Sequence, residues 1–178
     1  MKLVQITQFS TDEDLIYDCD LLICGCGYED RCASFVKKNL DKIQRVSSKY
    51  VLSYSFPLIP KIDEHKTFFS CQGFKEYVIK EPHDVTLALS DIFTKVIAKK
   101  NFKIVVDYSS MDRQWYSRIL LFLDKYRNDS IFNIVCCFTY CIPSISINSD
   151  DKKFSITGLE ALSGFSSISI PDRPTALI

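Results

Sequence analysis

Short apolar runs alternate along the chain with longer stretches in which apolar residues recur every three or four positions. Residues 21–26, 50–56, 76–79, 103–108 and 131–139 are predicted strands, several of them too apolar to leave one face in water. Between them, residues 31–43, 84–99 and 114–126 carry helical spacing, with Leu87, Ile92 and Val96 on one face and Ile119, Leu120 and Leu123 on another. Strands that alternate with helices build βαβ units. The expected architecture is an α/β, Rossmann-like three-layer sandwich with a mostly parallel sheet, in a single domain over residues 1–178.

Two regions depart from the alternation. Pro57 and Pro60 interrupt residues 57–70, so a helix there starts only after Pro60, and the segment is expected to form a loop over the site. Beyond Pro143, residues 144–147 and 153–157 flank the polar run Asn148-Ser149-Asp150-Asp151-Lys152, which predicts a C-terminal β-hairpin. Residues 174–178 resemble the start of an apolar strand, either a final edge strand or the point where a longer relative continues.

The chain has 178 residues, 47% of them apolar, and a formal net charge of zero. That is one ordinary globular core without the massed basic charge of a duplex-binding domain, so nucleic acid is not expected as a main partner. No run approaches the roughly 18 apolar residues of a membrane span, and the start lacks a secretory leader, so a cytoplasmic protein is expected. Eight cysteines invite a disulfide or zinc reading. However, Cys24, Cys26, Cys32, Cys136, Cys137 and Cys141 form no C-x-x-C pair, and His65 and His83 lie far from them in sequence. Reduced core thiols are expected, with no metal and no cofactor.

Candidate chemistry collects where two predicted strands give way to helices. After the first, Gly25-Cys26-Gly27-Tyr28-Glu29-Asp30-Arg31 supplies two glycines for a tight turn or the close approach of a ligand. A dinucleotide fingerprint would need glycine at position 30, where this chain has Asp30, and two carboxylates at a helix start oppose a pyrophosphate. Glu29 is instead suited to ribose hydroxyls, or to positive charge developing at an anomeric carbon. Tyr28 can stack on a base or sugar, and Arg31 can pair with a phosphate or with Asp30. The competing reading is that Asp30 and Glu29 only complement a helix N-terminus.

After the fourth strand, Asp107-Tyr108-Ser109-Ser110-Met111-Asp112-Arg113 places a carboxylate at the end of a buried strand. Ser109 and Ser110 then offer hydroxyls and N–H groups at an expected helix N-terminus, a ready anion site. Alternatively, Ser109 and Asp112 form an S-x-x-D capping box. Arg113 either reaches an anion or tethers Asp107 or Glu29, whereas Trp115 and Tyr116 read as packing residues. Gly158-Leu159-Glu160 and Gly164-Phe165 would close one side of the crevice, with Glu160 as a third carboxylate.

These motifs, with Gly158-Leu159-Glu160-Ala161-Leu162 and residues 174–178, resemble a group of uncharacterised bacterial Rossmann-like proteins over residues 21–178. A fainter likeness is to Toll/interleukin-receptor-type domains, on which residues 20–31 and 105–120 can be laid. That likeness implies NAD cleavage by a glutamate four residues after a tryptophan. The position is Ile119 here, so the role would pass to Glu29 or Asp107. It also implies, by analogy, a place in bacterial antiviral defence.

The residues therefore predict a nucleotide-handling protein in which Glu29 and Asp107 are catalytic and Gly25, Gly27, Tyr28, Asp30, Arg31, Ser109, Ser110 and Arg113 hold the ligand. The expected reaction is cleavage of an N-glycosidic bond. The alternatives are a nucleotide sensor without turnover, a structural or assembly domain whose motifs are caps and ion pairs, and a Mg²⁺ nuclease using Glu29, Asp30 and Asp107. A nucleotide or other small molecule is the expected ligand, and a protein partner or a second copy remains compatible with the sequence.

Overall fold

The computed structural model describes residue 16 and residues 18–55, 60–96, 101–126 and 133–142. Five strands, β1 (Leu21–Cys26), β2 (Ser48–Tyr54), β3 (Lys75–Ile79), β4 (Asn101–Asp107) and β5 (Asn133–Thr139), form one sheet in the order β3-β2-β1-β4-β5. Every adjacent pair is parallel. The chain steps outward from β1 to β2 and β3, then returns to the other side of β1 for β4 and β5. The order therefore reverses between β1 and β4, the place where an open parallel sheet leaves a crevice at its carboxyl ends.

Helices cover both faces, which gives the three layers. Side-chain alternation along β1 sends Leu22, Cys24 and Cys26 to one face and Leu21 and Ile23 to the other. The first face packs under a 3-10 turn (Asp30–Ala33), α1 (Ser34–Lys38), α2 (Leu40–Ile43) and α3 (Pro60–Cys71). The second packs under α4 (Pro82–Val96) and α5 (Arg113–Asp124). All six residues of β1 are buried, as expected of a central strand with helices on both sides.

The helix predicted over residues 31–43 is divided instead. Asn39 interrupts it with φ −123° and ψ 25°, and its side-chain amide donates to the Phe35 carbonyl at 2.9 Å. A short polar side chain that bonds the backbone locally competes with helix propagation. Residues 60–71, read either as a loop or as a helix starting only after Pro60, form α3, with Pro60 itself at the first helical position where its missing N–H costs nothing. The inward faces also need correction: Leu87 is 56% exposed and Leu120 42% exposed, whereas Val85, Ala88, Leu89, Ile92 and Phe93 make the buried stripe of α4. The predicted C-terminal hairpin, Glu160 and residues 174–178 lie outside the described residues. Among the described residues, no helix is long and apolar enough to cross a membrane.

Candidate functional site

The two motifs meet at the reversal of strand order. Cys24 of β1 is in register with Asp107 of β4, so the Gly25–Arg31 and Tyr108–Arg113 connections leave adjacent strands at the same edge. Their closest approach explains the glycines. A Cβ on Gly27 would lie 2.2 Å from Ser110 Oγ, and one on Gly25 would lie 2.6 Å from Met111 Cγ and 3.2 Å from Met111 N. The space a side chain would need is occupied by the neighbouring connection of the same chain.

The first connection is held from several directions. Glu29 has an extended backbone, φ −81° and ψ 140°, and caps the 3-10 turn without a side-chain hydrogen bond to it. Its carboxylate instead pairs with Arg31 Nε at 2.5 Å. The Arg31 guanidinium also donates to the Tyr140 hydroxyl beyond β5. The bond to Glu29 raises the arginine further above its ordinary range, ahead of the opposing effect of burial. Asp30 turns outward to Lys61 of α3 at 2.8 Å, and this contact holds its carboxyl below the usual value. Below them, His65 Nδ1 lies 2.8 Å from the Gly27 carbonyl. A carbonyl oxygen can only accept, so Nδ1 carries the proton there. Tyr28 at the tip is 57% exposed.

The second connection is organised from inside. Asp107 points to the α1 face beside Cys24 and is only 1% exposed, not open to a ligand as a strand-end position suggests. Its Oδ1 accepts from Ser109 N at 3.1 Å and from the Ser109 hydroxyl, a local turn typical of aspartate. Ser109 Oγ in turn accepts from Cys141 N at 2.7 Å, which ties the end of β5 to the end of β4. Asp107 Oδ2 is buried with no hydrogen-bond partner. Burial pushes the carboxyl up to about 6, opposed first by the Ser109 hydroxyl, then by the Ser109 N–H and the Arg31 charge.

The helix itself begins later than the motif suggests. α5 starts at Arg113, and Asp112 is its N-cap, accepting from Gln114 N at 2.6 Å. Ser109 and Ser110 thus precede the helix and do not form its N-terminal anion site, and Ser109 takes no part in a capping box. Nor does Arg113 tether Asp107 or Glu29: it is exposed and makes no ion pair with either. Glu29, Asp30 and Asp107 do not form a shared cation site, since no group of three His, Cys, Asp or Glu side chains among the described residues is placed to share a metal ion. The residues brought together are Gly25, Gly27, Glu29, Arg31, Asp107, Ser109 and Ser110.

All eight cysteines are free, and Cys24, Cys26, Cys32 and Cys141 lie beside this centre. Cys24 and Cys32 are buried and held well above an ordinary thiol, Cys24 first by burial and then by the Asp107 charge, Cys32 first by its hydrogen bond with Cys26 and then by burial. Cys141 is raised by burial and by Asp107. High thiol pKa values suppress thiolate and make these sulfurs packing groups rather than nucleophiles.

Sequence reasoning assigned no place at this site to His65, Lys61, Tyr140 or Cys141, having weighed His65 only as a metal ligand and Cys141 only as a metal ligand, disulfide partner or core thiol. His65 had a legible signal, because Ile62, His65 and Phe69 lie at helical spacing on the buried face of α3. Tyr140 and Cys141 had none, since only the β4–β5 pairing carries them to the first motif. No family model, curated protein or solved structure matches this chain.

Proposed function

We propose that the chain handles a nucleotide at the carboxyl edge of β1 and β4 and cleaves an N-glycosidic bond of NAD or a related nucleotide. The observation that carries this reading is a pair of carboxylates in unlike environments at one reversal of strand order. Glu29 is partly exposed and paired with Arg31, whereas Asp107 is buried, raised to about 6 and left with an unpartnered oxygen. Carboxylates pushed into different environments in one crevice are a recurring mark of functional sites.

In this reading Glu29 faces the sugar. As the C–N bond breaks, its electron pair leaves with the base, positive charge builds at the anomeric carbon, and water adds there through its oxygen and releases a proton to solvent. The Glu29 carboxylate stabilises that charge, and Tyr28 stacks on the base. Asp107 acts as a positioning residue, because its bonds to Ser109 hold the loop that packs on Gly25 and Gly27. A setting in bacterial antiviral defence rests on the likeness to Toll/interleukin-receptor-type domains alone.

A second reading, nucleotide sensing without turnover, draws support from the near-complete burial of Asp107. The two separate in a thermal-shift panel of NAD, ADP-ribose, nucleoside phosphates and cyclic nucleotides, followed by chromatography of each mixture. A shift with released base that Glu29→Gln abolishes supports cleavage. A shift with intact ligand supports sensing, and no shift for any compound rejects both in favour of a structural role.

A further inference from the structure

We propose that two copies of this chain join through the outer edges of β3, antiparallel and centred on Val78, so that the sheet continues across a two-fold axis. Among the described residues β3 ends the strand order, and its far side carries no strand. Its backbone orientation is defined by the Ile79 carbonyl, which accepts from Ser55 N beyond β2 at 3.2 Å. With a period of two, Lys75, Tyr77 and Ile79 turn their backbone groups toward β2, and Glu76 and Val78 turn theirs outward. Outward residues are the ones that exchange bonds with an added antiparallel strand. Lys80, the next outward residue, has given its N–H to Asp84 Oδ2 at 2.9 Å and keeps its carbonyl for such a contact.

The side chains select the partner and the register. In Lys75-Glu76-Tyr77-Val78-Ile79-Lys80-Glu81, a two-fold at Val78 sets Glu76 against the partner's Lys80 and Lys75 against the partner's Glu81. Tyr77 then meets the partner's Ile79, and Val78 meets the partner's Val78. Centring on Glu76 or on Lys80 would oppose like charges, and centring on Tyr77 would set Glu76 against an apolar valine. Opposite charges directly across a strand pair stabilise it and like charges destabilise it, so the sequence favours this register over its neighbours. The same edge exposes apolar surface, with Val78 49% and Leu87 of α4 56% exposed, beside a groove of about 480 Å³ whose apolar lining (Tyr77, Val78, Ile79, Leu87 and Ala88) is edged by the charged Lys80, Asp84 and Asp91. A two-fold buries the same patch on both copies at once.

Sedimentation equilibrium of the full chain, with Lys80→Glu and Glu76→Lys variants run separately and then mixed, tests the proposal. Wild type is expected to dimerise. Each variant alone opposes two like-charge pairs and is expected to weaken the dimer about tenfold, and mixing them restores opposite charges at both pairs. Among the described residues, Lys80→Glu breaks no side-chain hydrogen bond or ion pair of Lys80 but sets a second negative charge near the exposed Asp84, whereas Glu76→Lys loses both the 3.0 Å pair with Lys66 and the bond from the Ser53 hydroxyl. Should Glu76→Lys fail to fold, Lys80→Glu alone still decides. A monomeric wild type, an undiminished Lys80→Glu dimer, or a mixture of folded variants that does not recover would each overturn it.

Discussion

The connections after β1 and β4 leave neighbouring strands at the same edge of the sheet, yet they are held by different physics. After β1, charge works at the surface: Glu29 with Arg31, Asp30 with Lys61, and a histidine fastening the turn from below. After β4, a single buried carboxyl accepts both the N–H and the hydroxyl of Ser109, while its second oxygen has no partner. Surface ion pairs in water contribute about 0–1 kcal/mol. A buried carboxylate without full hydrogen bonding opposes folding instead. The first connection can therefore change partners at little cost. The second is fixed by buried hydrogen bonds, and its charge is tolerated rather than stabilising.

The sharpest test of that contrast is the pH dependence of Asp107. Its folded value, about 6, lies above the ordinary 3.8, so the native state binds more protons than the unfolded chain between those values. The sign is the reverse of a salt-bridged aspartate: stability is lost as pH rises from about 4 through about 6, and the loss is complete above that window. A shift of that size corresponds to about 3 kcal/mol. Asp107→Asn keeps an acceptor for Ser109 and removes the charge. It is expected to be more stable than wild type at pH 8 by up to that amount and equal to it near pH 4. Denaturant unfolding at both pH values measures the difference, and parallel wild-type and variant profiles would refute the buried charge.

Ser109→Ala comes next. It removes the hydroxyl that links Asp107 to Cys141 N, and leaving buried groups unpaired is expected to cost about 1–3 kcal/mol. Because Ser109 is the main influence holding the Asp107 carboxyl down, the pH window should also move upward in this variant. Urea unfolding followed across pH reads both effects, and an unmoved window would separate Ser109 from the carboxyl.

The packing between the connections is tested by Gly27→Ala, whose new methyl meets Ser110 Oγ. Overpacking of this kind is expected to cost about 1–2 kcal/mol. In Gly27→Ala with Ser110→Ala the obstructing oxygen is gone, and most of the loss should return. A double-mutant cycle with no coupling would mean that the glycine serves something other than this contact. The smallest expected effect on stability is that of Glu29→Gln. Its ion pair with Arg31 is partly exposed, so a melt should place the variant within about 1 kcal/mol of wild type. A much larger loss would make the first connection as structural as the second.

The alternation of buried runs and helical patterns placed all five strands within two residues of their observed ends and identified the parallel sheet, because β1 and β4 are too apolar for anything but a doubly covered position. It failed where local chemistry overrides periodicity. Asn39 divided one helix, and the apolar Leu87 and Leu120 proved to be surface residues because each helix packs along a stripe slightly rotated from the one their spacing suggests. The motifs were legible as motifs, since glycines and carboxylates directly after buried strands stand out against the apolar runs that precede them.

What each of those residues touches was decided only by the tertiary structure. The strand order brings residues roughly 80 apart in sequence into one register, so it alone determines that Gly27 makes room for Ser110, that Arg31 meets Tyr140 and that Asp107 faces a set of cysteines. A sequence specifies burial through patterns a few residues long, whereas the partner of a polar group depends on which strands become neighbours. That choice is made by the packing of the whole sheet, and no local pattern contains it.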